Sequence, residues 1–442
     1  MVTVGCSPQE SPETDNNDPN EIPSGDILWW YDLKAPSFSS AALEDIDGDG
    51  KPEIVFGTYI NDEHVYVLNA EDGTLLWRYE TGGKADTAPA IADVDGDGSL
   101  EVIVCVSSTN VVYCFNGSNG TVEWTFSTGD ANEIESSPAI ADLDNDELPE
   151  IVFGTLNGHF YCLNGEDATI RWYINLGIDS NITAEPNILD LDGDGLLEVI
   201  TAQAGGNNRI YALTGHDGST LWFSDLPQND LVHGASFADI DKDGKPEIII
   251  GSTDHHIYAL NGEDGTLKWD YTTTSSVGAP TSIADLNHDD HYEIVFTASN
   301  SNLLGVLSSD GQLLWSYRAS GSILRGAIIS DTNNDGSLDL VFVSDNGILH
   351  ILSGDNGRQI RTFHLASHYG RQVWVDHAPV VADFDKDGKL DIFIVVGSIN
   401  SANPGANLGR AYALRAGSGT GPVWKTFRHD HRHSGTSDNK TE

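Results

Sequence analysis

Apolar positions along this chain come in runs of four to seven residues rich in Val, Ile, Phe, Tyr and Trp, broken by Gly, Asn and Asp. Such runs read as short antiparallel strands and turns, and no stretch of ten or more residues carries the 3.6-residue period of a helix. The runs return in a fixed order. One period reads SSPAIAD from Ser136, an acidic loop, EIVFGT from Glu150, HFYCLNGED from His159, then ATIRWYINLG from Ala168. Four strands per period at a spacing near 48 residues match the blade of a β-propeller, a sheet that cannot bury both faces unless it stacks on its neighbours.

Eight acidic nonapeptides count the blades, starting at Asp45, Asp93, Asp142, Asp190, Asp239, Asp285, Asp331 and Asp383, with spacings of 48, 49, 48, 49, 46, 46 and 52. The outer strand of each period holds an aromatic: Trp29 or Trp30, Trp77, Trp124, Trp172, Trp222, Trp269 and Trp315, then the RTF segment at Phe363, and finally Trp424. Nine such strands for eight loops predict a ring closed by overlap, with DILWWYDL near the start and GPVWKTF near the end both in the last blade. Closure removes exposed sheet edges. The expected fold is thus all-β: one eight-bladed propeller of four-stranded antiparallel blades over residues 26–433, with a leader at 1–25 and a tail at 434–442.

Composition adds a net charge of −46, from 68 acidic and 22 basic residues. That balance repels nucleic acid and anionic membranes, and much of it falls inside the nonapeptides at alternate positions. Calcium takes six to eight oxygens, so side chains at positions 1, 3, 5 and 9 with the carbonyl of position 7 supply most of a shell. The candidate ligands in blade 1 are Asp45, Asp47, Asp49, the Lys51 carbonyl and Glu53; in blade 2, Asp93, Asp95, Asp97, Ser99 and Glu101. Blade 3 offers Asp142, Asp144, Asp146, Leu148 and Glu150, and blade 4 offers Asp190, Asp192, Asp194, Leu196 and Glu198. Blade 5 has Asp239, Asp241, Asp243, Lys245 and Glu247; blade 6 has Asp285, Asn287, Asp289, His291 and Glu293. Blade 7 contributes Asp331, Asn333, Asp335, Ser337 and Asp339, and blade 8 Asp383, Asp385, Asp387, Lys389 and Asp391. Up to eight calcium ions are expected. Position 6, where a tight positive-φ turn favours Gly, is Glu147 in blade 3 and Asp290 in blade 6. Those loops are expected to bind more weakly, and blade 6, which also has Asn287, is expected to empty first.

The loop with its flanks, as in TAPAIADVDGDGSLEVIV, resembles the FG-GAP repeat of integrin-type propellers with its calcium loop. The other half of the period, YALNGEDGTLKW at Tyr258 to Trp269, resembles the Trp-docking repeat of quinoprotein-type propellers. Both resemblances imply the propeller, and the first implies calcium. Neither implies one function, because propellers of these kinds serve as adhesins, carbohydrate binders, lyases, dehydrogenases and assembly scaffolds.

In a four-stranded blade the acidic loop and the NGEDGT-type turn share one face, so a ligand is expected on the other. Residues a few places before each acidic loop put Asp86, Glu135, Glu185, His233, Arg325, Asp376 and His377 at that channel mouth. The long connection into blade 8 adds His368, Tyr369, Arg371 and Trp374 as a stacking platform for sugar or peptide. The expected ligand site is Glu185, His233, Arg325, Tyr369, Arg371, Trp374 and His377, against the alternative of a merely hydrated rim. The alternating His429, His431 and His433 read as an exposed closing segment rather than a transition-metal site.

Cys6, after a small residue and a short apolar stub, resembles a lipoprotein cleavage site, although Thr3 stands where Leu is usual; an exported protein with a lipid anchor at Cys6 is expected. Cys105, Cys114 and Cys162 read as small buried hydrophobes, with a Cys105–Cys114 disulfide as the alternative. No segment is long enough to span a membrane. The leading functional reading is a calcium-stabilised exported propeller that binds a protein or polysaccharide. No catalytic constellation is recognised; the alternatives are a polysaccharide lyase, a quinoprotein-type dehydrogenase or an envelope assembly scaffold.

Overall fold

The computed structural model describes residues 22–421, apart from 130–132, 178–180, 206–207, 227–232 and 401, together with residue 430. Cys6, Trp424, the rest of the GPVWKTF segment after Gly421, and His429, His431 and His433 lie outside the described residues.

Eight four-stranded antiparallel sheets follow one another around a ring. Blade 1 is typical, with strands Ala42–Glu44, Glu53–Gly57, His64–Asn69 and Leu75–Glu80 in that spatial order. The short first strands of neighbouring blades approach each other and so lie innermost. Burial then grades outward. Every side chain of the second strand is buried, whereas the fourth strand alternates between buried and exposed positions. Each blade therefore packs apolar residues from both faces; Val55 and Val67 of blade 1, for example, share a cluster with Ile91, Val102 and Phe115 of blade 2.

The last blade combines Val380–Ala382, Asp391–Ser398 and Leu408–Arg415 with the N-terminal strand Ile27–Leu33 as its outermost member. Pairing of Trp29 with Ala413 and Trp30 with Tyr412 closes the ring, so the N-terminal strand is the outer strand of the last blade; the ninth, GPVWKTF, lies beyond the described residues after Gly421. The disulfide alternative fails on register, because Cys105 lies opposite Val112 and Cys114 opposite Ile103. All three described cysteines are free and buried.

Blades are tied together by the outer-strand tryptophans. The indole N–H donates to a carbonyl in the following blade: Trp29 to Ala70 at 2.7 Å, Trp77 to Gly117 at 2.6 Å, Trp172 to Gly215 at 2.7 Å and Trp222 to Gly262 at 2.9 Å, with Trp124, Trp269 and Trp315 doing the same. The ring lies flat on the turn between third and fourth strands. At Gly73, with φ +71°, a Cβ would sit 2.5 Å from the Trp29 ring, so both the backbone conformation and the space require glycine. Blade 3 departs from this, since Ala168 holds φ +58° in the turn beneath Trp124. Blade 7 has Arg361 in the Trp slot, opposite Ile351. Its guanidinium donates to the carbonyls of Arg415 and Ala416 at 3.1 and 3.2 Å and pairs with Asp26. The third and fourth strands of the closing blade come from opposite ends of the chain, so there is no turn between them for an indole to cover.

Candidate functional sites: the acidic loops and the channel mouth

The eight nonapeptides adopt one geometry, in which each carboxylate spends an oxygen on the loop's own backbone. At position 1, one oxygen of Asp45 accepts from the Gly48 N–H and the other from the Gly50 N–H, both at 2.9 Å. Asp47 accepts from the Asp49 N–H at 3.0 Å and Asp49 from the Lys51 N–H at 2.8 Å. Glu53, fully buried at position 9, accepts from the Ile46 N–H at 3.0 Å. This folds the loop and leaves the second oxygens at positions 3, 5 and 9 unspent on its backbone. Ligand atoms of Asp45, Asp47 and Glu53 lie within 4.8 Å of one another, as do those of Asp93, Asp95 and Glu101 and of Asp239, Asp241 and Glu247.

Two residues per loop are left-handed, not only the one at position 6. Position 4 has φ +74° at Gly48 and remains positive at Asn145, Lys242, His288, Asn334 and Lys386. Glu147 and Asp290 at position 6 also adopt it, at +74° and +65°, a conformation that strains a non-glycine residue.

The electrostatics of these loops fit a divalent cation. Burial, with the neighbouring aspartates of the loop, pushes Glu53, Glu101, Glu198 and Glu293 up to about 7. In blades 7 and 8 one carboxylate oxygen each of Asp339 and Asp391 is buried without a hydrogen-bond partner, in side chains that are themselves fully buried. A hard cation satisfies such oxygens and relieves the repulsion. In blade 6 the Asn287 side chain instead donates its N–H to Glu293 at 3.1 Å, so that carboxylate is partly satisfied from within.

The opposite face carries a cavity at the channel mouth. Its volume is 480 Å³, and it is bounded by the connections between blades and by loops joining second to third strands. The structure brings together Asp86, Glu135, Glu185, His233, Arg325 and Asp376 there. His233 meets Glu185 at 3.2 Å and Arg325 at 2.5 Å, and Arg325 meets Asp376 at 3.2 Å. Burial pushes the Glu185 carboxyl up, but the His233 imidazole, the Gly234 N–H and the Arg325 guanidinium outweigh it and hold the group below the ordinary carboxylate range. On the facing wall burial raises Asp86 and Glu135.

Four expected mouth residues are placed elsewhere. His377 is buried inside blade 8, where one ring nitrogen lies 2.7 Å from the Val395 carbonyl, because the chain turns inward before its first strand. Tyr369, at the end of the helix Leu365–Tyr369, and Arg371 flank the closing blade: Arg410 stacks over Tyr369 at 4.9 Å and over Trp30 at 5.5 Å. Trp374 is exposed and its backbone pairs with Gly397. None of these four lines the cavity. The sequence reading also missed Lys84, which pairs with Glu133 at 3.1 Å, and the edge-to-face pair Phe38–Tyr59 at 4.7 Å. These also line the mouth, and a Lys and an aromatic among many offer no periodic signal.

Fold and loops together define an eight-bladed β-propeller with an acidic nonapeptide in each blade. The family model for the FG-GAP-like repeat matches residues 45–104, 93–153, 190–250 and 331–394, just over half of the chain. The chain belongs to the FG-GAP-like repeat family. No curated protein matches it. Among solved structures it is similar to the biofilm matrix protein Bap1 of V. cholerae, at 15% identity, with 91% of this chain and 93% of that one covered and a TM-score of 0.63. The quinohemoprotein alcohol dehydrogenase ADHIIG of Pseudomonas putida HK5 gives 12%, 90%, 77% and 0.63, and Saccharomyces cerevisiae Sqt1 gives 12%, 88%, 98% and 0.65. At these identities the likeness is one of fold. No helix among the described residues is long and apolar enough to cross a membrane.

Proposed function

We propose that the protein is an exported, calcium-stabilised propeller that binds a protein or polysaccharide partner through the face opposite its acidic loops, acting as a binding or scaffold module rather than an enzyme. The observation that carries this reading is the 480 Å³ mouth, where Lys84, Arg325, His233 and the acidic groups stand beside the Phe38–Tyr59 pair. Convergent polar groups beside an aromatic surface suit a sugar ring or a polar peptide. In the acidic loops the side chains at positions 1, 3, 5 and 9 would hold calcium, which would supply positive charge that locks each loop. Calcium modules of about 10⁻⁴ to 10⁻³ M affinity suit a compartment outside the cell, and Bap1, of similar fold, is a biofilm matrix protein.

The test is a glycan array and a crosslinking pull-down from envelope extract, run with the wild type and with a Lys84→Ala/Arg325→Ala variant. Binding that weakens at least about tenfold in the variant, with an unchanged melting temperature, supports the reading. A ligand bound equally well by the variant places the site elsewhere. A second reading, catalysis at the same mouth, draws on the Glu185–His233 pair; turnover of a captured glycan that disappears in His233→Ala would favour it.

A further inference from the structure

We propose that Arg171 and Lys268 are tethered counter-cations that occupy the acidic loops of blades 3 and 5, so that these loops take calcium less readily than their neighbours and are held together without it. The proposal rests on the calcium reading of the loops. Both residues occupy the same place, immediately before the docking tryptophan of the outer strand, where blades 1, 4 and 6 carry Leu76, Leu221 and Leu314.

In blade 5 the Lys268 ammonium contacts Asp241 Oδ2 and lies 2.9 Å from Glu247 Oε1. The other oxygen of each carboxylate is engaged by the loop's backbone, Asp241 Oδ1 by the Asp243 N–H and Glu247 Oε2 by the Ile240 N–H. The lysine thus sits on the oxygens that positions 3 and 9 would give to calcium. In blade 3 the Arg171 guanidinium likewise contacts Asp144 Oδ2 and approaches Glu150 Oε1 at 3.8 Å, while Asp144 Oδ1 and Glu150 Oε2 hold the Asp146 and Leu143 N–H groups. Their side chains are only 18% and 22% exposed, for Arg171 and Lys268 respectively, so water screens these pairs less than it would at the open surface. A calcium ion must displace the tethered charge and then endure its repulsion.

The comparison across blades strengthens the assignment. Blade 2 has Glu123 at the same place, within 3.2 Å of the Asn116 amide, and its charge adds to that of the loop. In blade 8 Arg415 pairs with Asp385 and Asp387 from the third strand, yet a buried oxygen of Asp391 still lacks a partner. Among the described residues, only blades 3 and 5 bridge positions 3 and 9 with a protein cation. Blade 5 is the sharper case, because DIDKDGKPE has four carboxylates and Gly244 at position 6 and differs from the nonapeptide of blade 1 only at position 4, where Lys242 replaces Gly48.

Calcium titration calorimetry on the full chain after chelator treatment tests this. Lys268→Leu and Arg171→Leu, which install the residue of blades 1, 4 and 6, are each expected to add one tight equivalent and the double variant two, with affinity at the affected sites rising at least about tenfold. In EDTA the double variant is expected to melt below the wild type, with calcium restoring it. The converse variant Leu76→Lys should remove one tight equivalent from blade 1, so a folding failure of the leucine variants does not shield the proposal. Unchanged tight-site numbers in the double variant or in Leu76→Lys overturn it alone, and a wild type that takes up no calcium overturns it together with the calcium reading.

Discussion

Glu185 shows how one buried carboxylate can be kept ionised in an acidic protein. Its side chain is almost fully buried and held by His233, Arg325 and the Gly234 N–H. Because its folded value is depressed, it contributes stability at neutral pH, and that contribution is lost as pH falls below the ordinary carboxylate value near 4.5. Glu185→Gln is therefore expected to be less stable than the wild type at pH 7, with the gap shrinking at pH 4; urea melts at the two pH values check this. A gap that widens toward acid would reverse the assignment. At Ala168, the left-handed φ of +58° costs a side chain that glycine does not carry. Ala168→Gly should raise stability by about 1 kcal/mol, read from the midpoint of chemical denaturation.

Blades are sheets that depend on their neighbours, and the docking tryptophan is the contact that repeats most regularly. Trp172 is buried, donates to the Gly215 carbonyl and covers Gly218, where a Cβ would lie 2.8 Å from its ring. Trp172→Ala should cost about 3–5 kcal/mol, and the loss should appear in hydrogen exchange first at the seam between blades 3 and 4. Exchange that rises evenly around the ring would mean that the seams do not open separately. The repeat of this residue was legible in the sequence because in blades 1 to 6 it falls 30 to 32 residues after the first Asp of the acidic loop. What was not legible was the substitution of Arg361 in blade 7, since its partners Asp26, Arg415 and Ala416 lie at the two ends of the chain.

For the molecule as a whole, ring closure and charge act together. The N-terminal strand Ile27–Leu33 completes the last blade, while eight acidic loops crowd one face of a chain of net charge −46. Chelation is expected to lower the melting temperature by several degrees or more in a calcium-loaded sample, since cations that bind only the folded state stabilise it by mass action. An unchanged melt in EDTA would mean that the loops stand by their backbone hydrogen bonds alone.

The acidic loops and the blade count were determined by local sequence. A nonapeptide with carboxylates at alternate positions folds on its own N–H groups, and its return every 46 to 52 residues leaves few architectures open. The same local logic placed the channel mouth on the face opposite those loops. The composition of the mouth was decided by tertiary structure. Glu185 and His233 are 48 residues apart, and His233 and Arg325 are 92 apart; only the curvature of the ring brings them within contact. His377, next in sequence to Asp376, turns inward instead, at a bend before the strand Val380–Ala382, and its ring meets the Val395 carbonyl. The cations of blades 3 and 5 belong to the same category. Arg171 and Lys268 look like ordinary surface charges along the chain, and only the pairing of outer strand with acidic loop sets them on the oxygens that calcium would need.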